Sequence, residues 1–142
     1  MTSGFKFDII VPDKGVNTMF NKIIGAQLVR IDEEGFEVKK GDNIYHFDFI
    51  EDEGDCCGFN RISAELFISE EELARNPAIM NYEVVEDDDF EDGSLFRLVF
   101  FGEVKKMAEV ETYSSSGSGW SYGATVSCLC RETNEEKVLS TW

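Results

Sequence analysis

The chain has 142 residues, 42% of them hydrophobic and 13% aromatic, enough to bury one core, so a single domain over residues 1–142 is expected. Its 29 acidic residues against 13 basic ones give a formal net charge of −16, and a surface of that sign repels phosphate backbones and anionic lipid. Direct binding of nucleic acid or of a membrane is thereby disfavoured.

In chain order the pattern is mostly β. "FKFDIIV" (Phe5 to Val11) alternates as a first strand and is stopped by the turn signal "PDKG". "NTMFNKIIG" has a cap in Asn17 and a terminating glycine, which predicts one or two helical turns. "AQLVRID", "GFEVKK" and "NIYHFDFI", broken by "EEG" and "GD", read as a three-stranded antiparallel meander. "CCGFNRISAELFI" follows as a strand. In "SEEELARNP" Ser69 and Glu72 form a capping box, and Pro77 forbids extension past Asn76, so the helix is short. "AIMNYEVVE", "SLFRLVFFG", "EVKKMAEVETY", "GATVSCLCR" and "EKVLSTW" complete the strands. The expected fold is mainly β (α+β): a single antiparallel, strongly curved sheet or a small sandwich with one or two short helices.

Apolar runs such as "LFRLVFF" are too short to span a bilayer as a helix, and "MTSGFKFDII" lacks a basic start followed by an apolar signal core, so a cytoplasmic protein is expected. In that compartment Cys56, Cys57, Cys128 and Cys130 are expected to be reduced thiols. The single histidine, His46, with these cysteines would supply the donor types of a zinc site, but neither cysteine spacing matches the tight Cys-x-x-Cys turns that structural zinc uses. A nucleophilic pair of His46 with Cys56 or Cys57, oriented by Asp48 or Asp55, would sit in negative surroundings that raise a thiol pKa and disable the nucleophile. "GSGWSYG" lacks the lysine and following helix of a phosphate-binding loop. No catalytic residue, metal site or cofactor is assigned, and a non-enzymatic protein is expected.

Two features remain. Seven of the ten residues in "EVVEDDDFED" (Glu83 to Asp92) are acidic. They form either a solvated, solubilising loop or a set of carboxylates that imitate phosphates. The second feature is "SSSGSGWSYG", which puts Trp120 and Tyr122 on a pliable loop, where exposed rings serve either as a packing latch or as binding anchors.

The order of an aromatic-histidine strand, "DCCGF", a short helix, "NPAIMNYEVVE", an aromatic strand and "SGSGWSYGATV" resembles an uncharacterised family of small phage and prophage proteins. That family is marked by an Asp-Cys-Cys segment and a late glycine-tyrosine-serine loop. The resemblance covers roughly Val16 to Val126. The strand before Pro12, the Cys128-Cys130 pair and the tail to Trp142 depart from it. What it implies is a phage-like origin rather than a mechanism. Combined with the charge, it leads to the expectation of a binding protein that inhibits a bacterial nuclease-type defence complex, an anti-CRISPR-like activity, by occupying a basic groove on the host complex. The expected contacts are Glu86, Asp87, Asp88, Asp89, Glu91 and Asp92 as phosphate-like charges, with Trp120 and Tyr122 as anchors. Two other readings stay open. One is a non-catalytic sponge for a nucleotide signal, stacking a base on Trp120 or Tyr122 and holding phosphate on the backbone N–H groups of "SSSGSG", with a local pocket containing Arg61, Arg97 or Arg131 to overcome the net charge; the other is a phage structural or assembly protein.

Overall fold

A computed structural model describes residues 18–53, 58–90, 92–115 and 123–142. The predicted strand Phe5 to Val11 lies outside them. The first described element is the one-turn helix α1 (Thr18–Asn21), and β1 (Gln27–Asp32), β2 (Gly35–Lys40) and β3 (Asn43–Asp52) then form the predicted meander. After β4 (Phe59–Leu66) comes α2 (Glu70–Ala74). Ser69 caps it, its hydroxyl accepting from the Glu72 N–H while the Glu72 carboxylate accepts from the Ser69 N–H, both at 3.0 Å. The remaining strands are β5 (Asn81–Phe90), β6 (Gly93–Phe101), β7 (Lys106–Ser115), β8 (Thr125–Cys130) and β9 (Glu135–Thr141).

Among the described residues every pairing is antiparallel, and the strands divide into two sheets. The larger has the order β9-β8-β3-β2-β1 and the smaller the order β4-β7-β6-β5. The chain thus forms a small β-sandwich, one of the two arrangements expected from the sequence. The division follows from burial, because each strand has one apolar set that must meet another. Phe36 and Phe47 of the larger sheet stack at 4.6 Å, and Phe100 of the smaller sheet meets Phe36 edge-on at 5.0 Å. Phe20 of α1 enters the same cluster, within 6.4 Å of Phe47 and 6.2 Å of Phe96.

Among the described glycines, Gly35 and Gly93 permit approaches that bear on the sheets. Gly35 opens β2 at φ 150°, and a Cβ there would lie 2.0 Å from the Phe47 carbonyl oxygen. At Gly93 a Cβ would lie 2.6 Å from the Tyr113 ring. The first fixes how β2 meets β3, and the second lets an aromatic ring lie across β6.

One boundary differs from the sequence reading. The acidic run is not a loop: β5 continues through it to Phe90, with Glu86 opposite Phe96 and Asp87 opposite Leu95 before the register shifts. Aspartate disfavours strands by local propensity, but the partners here are the most apolar strand of the chain, and pairing overrides the local preference.

Candidate functional site

The acidic edge is built outward from the core. On β5, Tyr82 and Val84 are half-buried against the hydrophobic cluster, which fixes the strand's face and leaves Glu83 and Val85 pointing away. Farther along, residues 85–89 are all exposed. Glu86 has a partner, since Lys137 Nζ of β9 donates to its Oε2 at 3.2 Å while lying 5.4 Å from the centre of the Phe96 ring. Among the described residues Asp87 Oδ1 accepts a local bond from the Asp89 N–H at 3.1 Å. Among the described residues no cation pairs with Glu83, Asp87, Asp88 or Asp89. Asp92 is exposed in the following turn at φ 59°, its carbonyl accepting from the Ser115 hydroxyl at 3.2 Å. Of the predicted contact residues, Glu86, Asp87, Asp88, Asp89 and Asp92 therefore share one end of one sheet. Glu91, Trp120 and Tyr122 lie outside the described residues, as do Asp55, Cys56 and Cys57.

The outward face of the larger sheet treats its charges differently. Arg30 bonds both Asp32 and Glu37, the latter at 2.9 Å. Arg131 grips Asp48 with two bonds of 2.6 and 3.0 Å. Glu132 receives the His46 backbone N–H at 2.7 Å, and its other oxygen lies 2.6 Å from His46 Nδ1. The Arg131 hydrogen bonds, acting against burial, hold the Asp48 carboxyl below the usual carboxylate range. For Glu132 burial acts upward but is outweighed by the contacts with His46, so that carboxyl also sits low.

This placement separates the histidine from the described thiols. Phe47 lies opposite Cys130, and Phe47, Cys128 and Cys130 all point into the core, whereas His46 alternates to the outside. His46 shares no site with Cys128 or Cys130. Burial, with the neighbouring Cys130 second, pushes the Cys128 thiol far up, which keeps it protonated and unreactive. Among the described residues no group of three or more His, Cys, Asp or Glu side chains is arranged to hold a metal ion. The three arginines of the nucleotide-sponge reading are likewise apart. Arg131 belongs to the larger sheet's outward face, Arg97 pairs with Glu109 and Glu111 on the smaller sheet, and Arg61 lies 5.0 Å over the Tyr113 ring.

Two arrangements were not foreseen from the sequence. On the outward face of the smaller sheet, Phe59 and Phe90 both meet Tyr113 edge-on, at 6.2 and 6.1 Å. With Arg61 over the same ring these four residues come from three strands, and only the register of Arg61 and Leu95 opposite Tyr113, with Phe90 opposite Gly93, assembles them. Period-two alternation marks each residue as outward, but the strand order is a non-local fact. The second arrangement is a buried hydroxyl chain between the sheets. Thr112 donates to Ser140 at 2.9 Å, Ser140 and Ser114 share a bond of 2.8 Å, and Ser114 donates to Asn60 Oδ1 at 2.7 Å. The Asn60 amide in turn donates to the carbonyls of Asp52 and Thr125, so these interior polar groups are satisfied.

Comparison with protein-family models, with curated proteins and with solved structures finds no match. No described helix is long and apolar enough to cross a membrane.

Proposed function

We propose that this is a small acidic binding protein of phage type that inhibits a bacterial nuclease-type defence complex, in the manner of an anti-CRISPR protein, by occupying a basic nucleic-acid groove. The observation that carries this reading is the row Asp87, Asp88, Asp89, exposed at the end of β5 where its ladder with β6 shifts register, and without a described cation partner. Three consecutive carboxylates within about 7 Å of chain concentrate negative charge locally, as a run of backbone phosphates does. A net charge of −16 adds long-range steering toward basic grooves. Such an inhibitor acts in the cytoplasm of the bacterial host and needs no cofactor or catalytic group.

The test is a cleavage assay on a panel of purified RNA-guided and other defence nucleases, each with its nucleic-acid substrate and increasing amounts of this protein. Dose-dependent loss of substrate binding by at least one member is the expected result. Unchanged binding and cleavage across the panel would remove the reading. A nucleotide sponge is the second reading, supported by the outward Arg61-Tyr113-Phe59-Phe90 cluster, which offers ring faces and an arginine for stacking. Calorimetric titration with nucleotides separates the two.

A further inference from the structure

On the outward face of the smaller sheet the register sets Arg61, Tyr113, Leu95 and Asp87 in one row across the four strands. The Arg61 guanidinium stands 5.0 Å over the centre of the Tyr113 ring. Phe59 precedes Arg61 by two residues on β4, so the two side chains leave the same side of the sheet about 7 Å apart along the strand. Phe59 meets Tyr113 edge-on and is 42% exposed, and Arg61 is exposed beside it. In a chain of 29 acidic and 13 basic residues, Arg30, Arg97 and Arg131 each hold a carboxylate. Among the described residues no carboxylate pairs with Arg61. Arg75 at the end of α2 also lacks one, but no described ring lies against it.

A guanidinium held over a ring keeps N–H donors for an anion, and an exposed ring beside it offers a flat surface for stacking. One molecule that uses both carries an aromatic ring and a negative charge. How much charge it carries is set by the surroundings. One guanidinium offsets one negative charge, while Asp87 stands three strands away in the same row, about 15 Å from Arg61, with Asp88 and Asp89 next to it and a net charge of −16 on the whole chain. Every charge beyond the first is therefore repelled with nothing to offset it. We propose that this face binds a nucleotide bearing a single negative charge, a phosphodiester, in preference to phosphate monoesters and polyphosphates. The inference rests on the second reading above, in which this cluster binds a nucleotide, and adds the charge class of the ligand.

The probes are a nucleoside, its 3′,5′-cyclic monophosphate, its 5′-monophosphate and its 5′-triphosphate, each with adenine, guanine, cytosine and uracil. They are titrated calorimetrically into the full chain at low ionic strength and about pH 8, where a phosphate monoester carries close to two charges. Within the series of the base that binds best, the cyclic diester is expected to bind tightest and the uncharged nucleoside about tenfold more weakly. Each charge beyond one should weaken binding about fivefold, and added salt should narrow that spread. Arg61→Gln should bring the cyclic diester down to the affinity of the nucleoside, and Phe59→Ala should weaken all four probes alike. Arg75→Gln makes the same change of charge elsewhere and should leave every affinity within about twofold. A monophosphate or triphosphate that binds as tightly as the cyclic diester overturns the charge class while leaving nucleotide binding standing. Equal losses in Arg61→Gln and Arg75→Gln overturn the site. Binding of none of the probes to the unaltered chain overturns both the inference and the reading beneath it.

Discussion

The outward face of the larger sheet and the β5 edge of the smaller one are both rich in carboxylates, yet they use them in opposite ways. On the first, Asp32, Glu37, Asp48 and Glu132 each meet Arg30, Arg131 or His46 within hydrogen-bond reach. On the second, Asp87, Asp88 and Asp89 meet no described cation. A paired carboxylate ties one strand or turn to the next and contributes, modestly, to the fold. An unpaired one stabilises nothing and, beside others of its sign, works against the compact state. Carboxylates that the fold does not use are the ones available to a partner.

The largest expected effect comes from breaking the frame beneath the paired face. Gly35→Ala sets a methyl group against the Phe47 carbonyl at a φ that alanine rarely adopts, and Phe47→Ala removes a fully buried ring from the central stack. Phe47→Ala should cost about 3–5 kcal/mol, with Gly35→Ala of similar order because the clash is with backbone. Denaturant unfolding checks both. Losses under about 1 kcal/mol would mean that the β2–β3 approach is looser than described, and that the pairs above it are incidental.

A smaller effect sharpens the contrast through pH. Asp48 and Glu132 have folded pKa values below their ordinary ones. Their contribution is therefore fully present above the unfolded carboxylate value of about 4 and is lost as pH falls through the lower folded values. Melting temperature should drop between about pH 5 and pH 2.5, and Asp48→Asn should flatten part of that limb while lowering stability near neutrality. Neutralising Asp87, Asp88 and Asp89 should leave the limb in place. A variant series in which the edge residues, and not Asp48, govern acid unfolding would invert the comparison.

Much of this architecture was legible because it is local. The Ser69-Glu72 capping box and the turn that separates "GFEVKK" from "NIYHFDFI" depend on residues a few positions apart. What escaped depends on partners distant in sequence. Glu86 and Asp87 of β5 look like part of a loop until Phe96 and Leu95 lie opposite them. The Tyr113 cluster does not exist until Gly93 lets the ring cross β6. His46 and Cys130 read as possible co-ligands until β3 and β8 become neighbours and alternation sends them to opposite faces. At the acidic edge the run of carboxylates was visible in the sequence, but the strand that carries part of it was not.

The most direct measurement follows two neutralised proteins side by side: Asp87→Asn with Asp88→Asn and Asp89→Asn, and Asp32→Asn with Asp48→Asn and Glu132→Gln. Each is scored for melting temperature and for the concentration that inhibits the nuclease identified in the cleavage panel. The edge variant should melt at or above the wild-type temperature while inhibiting about tenfold more weakly, chiefly through slower association. The paired-face variant should melt lower and, below its transition, inhibit like wild type. An edge variant that inhibits as well as wild type would contradict the account, returning the unpaired carboxylates to the role of solubilising charge.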